Sequence, residues 1–97
     1  MSAWSVGRKL MEKLEGTDIE ITPEEGLNLG TGVIFFYFYL RDYPETMVPC
    51  CYNTKKKAFA IRDPNDIRQI LVVCEEDLDV LCRIAQDSLG NLVTSGL

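Results

Sequence analysis

The sequence predicts an α+β fold: an antiparallel meander of four to five strands with an N-terminal and a C-terminal helix packed on it. Two observations predict it. The first and last segments carry apolar residues at helical spacing. Between them, apolar or alternating runs of strand length are separated by turn signals short enough for hairpins. A small SH3-like barrel with added helices is the alternative.

Residues 2–15 read as a helix with Ser2 as its cap. Ala3, Val6, Leu10 and Leu14 share one side, widened by Trp4 and Met11, while Arg8, Lys9, Glu12 and Lys13 take the other. Gly7 weakens this helix by up to about 1 kcal/mol but permits close packing. Gly16 supplies a stop. In TDIEIT, residues 17–22, Ile19 and Ile21 face inward and Asp18 and Glu20 face water. That alternation marks a half-buried strand at or near an edge. Thr22, Pro23 and Glu25 resemble a capping box, but Gly26 limits it to one turn. Gly30-Thr31-Gly32 leads into a strand, the reverse of a phosphate loop, and reads as a flexible turn.

GVIFFYFYL, residues 32–40, is apolar on both parities. A strand with one wet face alternates instead. The even set Ile34, Phe36, Phe38 and Leu40 has no polar atom and is expected to be core. The odd set Val33, Phe35, Tyr37 and Tyr39 ends in tyrosines, favoured where one end is dry and the other wet. Two arrangements fit: the terminal helices cover opposite faces of the sheet, or the odd set forms an aromatic contact surface.

RDYPET reads as a turn on Asp42 and Pro44, and TMVPCCYN as a strand. Pro49 cannot donate to a ladder, so an edge or a bulge is expected there. NTKKK turns, with Lys55, Lys56 and Lys57 solvated, and AFAIRD is a short strand. Residues 66–74 fit a helix opened by Asp63-Pro64-Asn65-Asp66, or a strand following those residues as a hairpin turn. The β-branched content and the loop length favour the strand. Residues 75–89 read as a helix with Glu75, Glu76 and Asp77 in its first turn. Leu78, Leu81, Cys82, Ala85 and Leu89 form its stripe, Gly90 ends it, and residues beyond Leu92 fray.

At 97 residues the chain is expected to be one domain, 1–97. A chain this short buries only about 60–65% of its unfolded surface, so its core is thin and a partner adds useful burial. Net charge is −5, which argues against a nucleic-acid partner. The apolar run is too short to span a bilayer, and no targeting segment is read, so a cytoplasmic location without membrane contact is expected. There is no histidine, which removes Ser-His, Cys-His and His-metal chemistry. Cys50, Cys51, Cys74 and Cys82 lack zinc spacing and read as free thiols. Glu75, Glu76, Asp77 and Asp79 lack the glycine-containing loop that calcium needs. With Asp18, Glu20, Glu24 and Glu25 they read as solvated acidic surface. No metal, cofactor or enzymatic activity is expected.

Val80 and Ile84 fall on the far side of the last helix and make an apolar ridge. The leading expectation is a non-catalytic protein–protein interaction module, a small regulator, inhibitor or adaptor, that binds another protein and self-associates as a homo-oligomer. Its expected contact residues are Phe35, Tyr37, Tyr39, Val80 and Ile84. Two alternatives stand beside it: a small-ligand binder with Tyr37, Tyr39 and Tyr52 lining a pocket, and a thiol or redox protein acting through Cys50 or Cys51.

Overall fold

The computed structural model describes residues 5–22 and 32–96. Helix α1 (Ser5–Lys13) leads to β1 (Ile19–Ile21), β2 (Val33–Leu40), β3 (Tyr43–Asn53), β4 (Ala58–Asp63) and β5 (Asp66–Cys74), and α2 (Leu78–Gly96) closes the chain. The five strands form one antiparallel sheet in the order β1-β2-β3-β4-β5. This is the expected α+β meander. With β1 and β5 at its edges the sheet is open, so the barrel alternative falls. Ser2, Ala3, Trp4 and residues 23–31, with the expected capping box and most of the glycine turn, lie outside the described residues.

Both helices pack on the same face of the sheet. Val6, Leu10 and Leu14 of the N-terminal segment join Leu78, Leu81, Ala85 and Leu89 of α2 over Ile34, Phe36, Phe38, Tyr52, Phe59 and Ile61 in one core. Lys13 and Asp79 link the two helices at 3.0 Å. The arrangement with one helix on each face is therefore overturned. Within the core Phe36 meets Phe38 and Phe59 edge-on, and Tyr52 lies 4.9 Å from Phe59, separations at which aromatic pairs attract. Met11, expected on the apolar side of α1, is instead exposed, because Val6, Leu10 and Leu14 fill the contact.

Turn chemistry sets the boundaries. Gly16, at φ 84°, ends α1 in the left-handed conformation that glycine adopts without penalty. The β2–β3 turn is Arg41-Asp42 alone, so Pro44 lies in β3 rather than in the turn. Thr46 makes this possible: its buried hydroxyl donates to Tyr43 O at 2.7 Å and accepts from Leu40 N–H, satisfying an irregular stretch of ladder. Asn53 Oδ1 accepts from the Lys55 and Lys56 amides and organises the lysine turn. Asp63 Oδ1 accepts from Asn65 N–H, closing the β4–β5 hairpin and making residues 66–74 the favoured strand.

Pro49 sits in a central strand, and the ladder explains how. Tyr37 turns its N–H and C=O to Thr22, away from β3. Its partner Pro49 therefore faces β4, as alternation in antiparallel pairs requires. The β3–β4 ladder begins only at Cys50, so no bond is lost at Pro49.

The last helix departs from expectation at both ends. It starts at Leu78, after Asp77, whose carbonyl accepts from the Val80 and Leu81 amides. Glu75 instead accepts the Tyr52 hydroxyl at 2.5 Å. Gly90 does not end it, because the helix is held from outside: Leu89 is buried, and Asn91 Nδ2 donates to Pro64 O at 3.1 Å. No helix among the described residues is long and apolar enough to cross a membrane.

Candidate functional site

The face of the sheet turned away from the helices is uncovered by any described element. Its residues follow from strand parity and register. Phe35, Cys51, Ala60 and Val72 are paired in one row across β2, β3, β4 and β5. Tyr37 and Pro49 are opposite on one side of that row, and Arg62 and Ile70 on the other pair of strands. Size varies across the row in a way that shapes the surface. The floor, on β3 and β4, is Pro49, Cys51 and Ala60. The walls are Phe35 and Tyr37 on β2, and Ile70 and Val72 on β5.

The result is a trough lined by Phe35, Pro49, Cys51, Ala60, Arg62 and Ile70. Its wall strands are three strand spacings apart, roughly 14–15 Å. Phe35 is 54% exposed, Ile70 50% and Val72 73%. Isolated apolar side chains on a surface carry little meaning, but a contiguous apolar patch marks a place where something docks. Arg62 supplies the charge in the lining, and its guanidinium is steadied by donating to Ile67 O at 2.5 Å.

Toward β1 the face becomes polar. Arg41 Nε donates to Glu20 Oε2 at 2.7 Å, and the Tyr39 hydroxyl donates to Glu20 Oε1 at 3.0 Å. The Arg41 guanidinium, with help from the Tyr39 hydroxyl, holds the Glu20 carboxyl below its usual range. Glu20 in turn pushes the Tyr39 phenol up. This cluster closes the β1 side of the face.

The five expected contact residues do not form one surface. Phe35 and Tyr37 lie exposed on the open face. Tyr39 shares that face but is held at the rim by Glu20. Val80 and Ile84 belong to the helix layer, on the other side of the sheet. Val80 is exposed at 48%. Ile84 does not extend its ridge: it is partly buried and packs against the core. Ile84 follows Leu81 by three residues, which places it only about 60° around the helix, on the flank of the buried stripe.

Ile70 and Val72 were missed as site residues. The signal for them is the one that singled out β2: the run Ile70-Leu71-Val72-Val73 is apolar on both parities. Only Val73 of β5 is buried outright.

The three tyrosines expected around a ligand do not converge. Tyr37 is on the open face, Tyr39 at its rim, and Tyr52 on the core face with Glu75. Cys50 and Cys51 point to opposite faces, Cys50 into the core. Burial pushes the thiols of Cys50, Cys51 and Cys82 up, so they are protonated at neutral pH. Among the described residues no group of three His, Cys, Asp or Glu side chains is placed to hold a metal ion.

No family model, no curated protein and no solved structure matches this chain.

Proposed function

We propose that the chain is a non-catalytic protein–protein interaction module, a small regulator, inhibitor or adaptor, that receives an apolar helix of another protein in the open-face trough. One observation carries the reading: an apolar trough that no described element covers, with a floor of small residues between an aromatic wall and an aliphatic wall. An α-helix with its side chains is about 10–12 Å across. The wall strands run roughly 14–15 Å apart, backbone to backbone, so the trough between their side chains takes the apolar ridge of such a helix rather than its full girth, and helix-in-groove docking uses this kind of apolar lining. Arg62 offers an acidic side chain of that helix a fixed cationic partner.

The test places a photo-crosslinking residue at Tyr37 in one sample and at Val80 in another, in the full chain within its native host. The expected result is an adduct from position 37 whose partner peptide has helical apolar periodicity. Ala60→Phe, which fills the floor, is expected to abolish that adduct without changing the far-ultraviolet circular dichroism. Adducts from position 80 alone, or a position-37 adduct that survives Ala60→Phe, would overturn the reading.

A further inference from the structure

The two edges of the sheet are built differently. β1 is three residues long, carries Glu20 at its centre and has Asp18 and Arg41 beside it. Short, charged edges are how proteins prevent strand-to-strand association. β5 is nine residues long, DIRQILVVC, with no Lys, Pro or Gly. Its irregularity is confined to the hairpin end, next to Arg62 and Asp63. No described strand pairs with its outer side. Among the described residues none of the usual protections therefore covers residues 70–74.

The ladder fixes which backbone groups point out. Glu75 N–H donates to Lys57 O, so odd-numbered residues in this stretch bond toward β4. Alternation then aims the N–H and C=O of Ile70, Val72 and Cys74 away from the sheet. Those are also the residues whose side chains stand exposed on the open face, with Val72 at 73%.

From this edge we infer that the chain pairs with a second copy of itself, β5 against β5, antiparallel, about a twofold axis at Val72. The register follows from charge and polarity. With Val72 opposite itself, Ile70 opposes the partner's Cys74 and Leu71 the partner's Val73. The apolar run 70–74 then faces only itself. Arg68 comes opposite the partner's Glu76, and this happens twice by symmetry. Moving the axis to Ile70 sets Arg68 against a valine, and moving it to Leu71 sets Gln69 against one. Among the described residues Arg68 is held by Asp66, at 3.4 Å, with 88% of its side chain exposed, so it is available to the partner. The pairing makes one ten-stranded sheet (five strands from each copy) and leaves both troughs open. It is independent of the helix-binding reading.

Sedimentation equilibrium on the full chain tests the inference. A dimer is expected. Val72→Lys, a charged edge substitution, is expected to weaken it by about tenfold or more, while Tyr37→Lys leaves it unchanged. Arg68→Glu and Glu76→Arg are each expected to weaken the dimer, and the two together in one chain to restore it. A monomer at all concentrations overturns the inference. So does a dimer that is lost in Tyr37→Lys, whether or not it survives Val72→Lys, since Val72 also stands in the trough wall and that dimer would form through the trough. Failure of the double variant to restore association overturns the register. Loss of the dimer alone leaves the crosslinking test of the trough standing.

Discussion

Phe35 and Phe36 are chain neighbours with the same side chain, yet one is 54% exposed and the other 1%. β2 carries apolar residues on both faces, and the difference between those faces lies entirely in what packs on them. Phe36 lies in the core that the sheet shares with the two helices, in edge contact with Phe38 and Phe59. Phe35 forms a wall of the open trough. An apolar side chain thus does not by itself report that its own chain covers it.

Substituting each phenylalanine tests this contrast most directly. Phe36→Ala is expected to cost roughly 3–5 kcal/mol, because it leaves a cavity in a closed core. Phe35→Ala is expected to cost no more than about 1 kcal/mol, the scale of a strand-surface change. Urea denaturation of the two variants reads the difference, and equal losses would break the comparison.

Gly32→Ala strains the start of β2 and so acts on both faces together. Gly32 has a φ of 72°, and an added Cβ would stand 2.7 Å from Thr54 Oγ1. That hydroxyl is itself fixed by donating to Gly32 O. A loss of roughly 1–3 kcal/mol is expected, seen as a lower thermal midpoint.

Tyr52 makes the core face sensitive to pH. On the core face its phenol is pushed up to about 12, first by burial and then by donating to the Glu75 carboxylate. The unfolded value is about 10. A raised folded pKa favours the protonated form. Its stabilisation is therefore complete below about pH 10 and is lost as the pH climbs through about 12. Tyr52→Phe is expected to remove a late phase from the phenolate absorbance titration. It should also cost about 1 kcal/mol at neutral pH, for the lost hydrogen bond.

The smallest effect belongs to the helix layer. Gly90 is exposed inside α2, and a Cβ there meets nothing within 4 Å. Gly90→Ala is expected to gain about 0.5–1 kcal/mol by helix propensity alone. A higher thermal midpoint with unchanged association would place that outer surface outside both proposed contacts.

Much of the fold was legible because local patterns carry it. The parity of residues 33–40 separated a core set from an open set, and Ile34, Phe36 and Phe38 are buried as that split requires. The stripe Leu78, Leu81, Cys82, Ala85 and Leu89 is buried in full for the same reason. Helix ends were less legible. Gly90 reads as a stop by propensity, but the buried Leu89 and the Asn91–Pro64 contact outweigh a penalty of about 1 kcal/mol. Half of the candidate site, the Ile70 and Val72 wall, stayed hidden. A strand that pairs only on one side looks in sequence like any other apolar strand.

Which residues share a face could be read from local spacing, since that depends only on the two-residue period of a strand and the 3.6-residue period of a helix. Which face of the sheet the two helices leave without a described cover was settled only by how the elements pack. Each helix needs one apolar surface to cover, and the alternation of β2 offered two. The choice came from docking both helices side by side, with Leu10 and Leu81 in one core and Lys13 reaching Asp79. No single segment encodes that choice, because its energy comes from contacts between segments far apart in the chain.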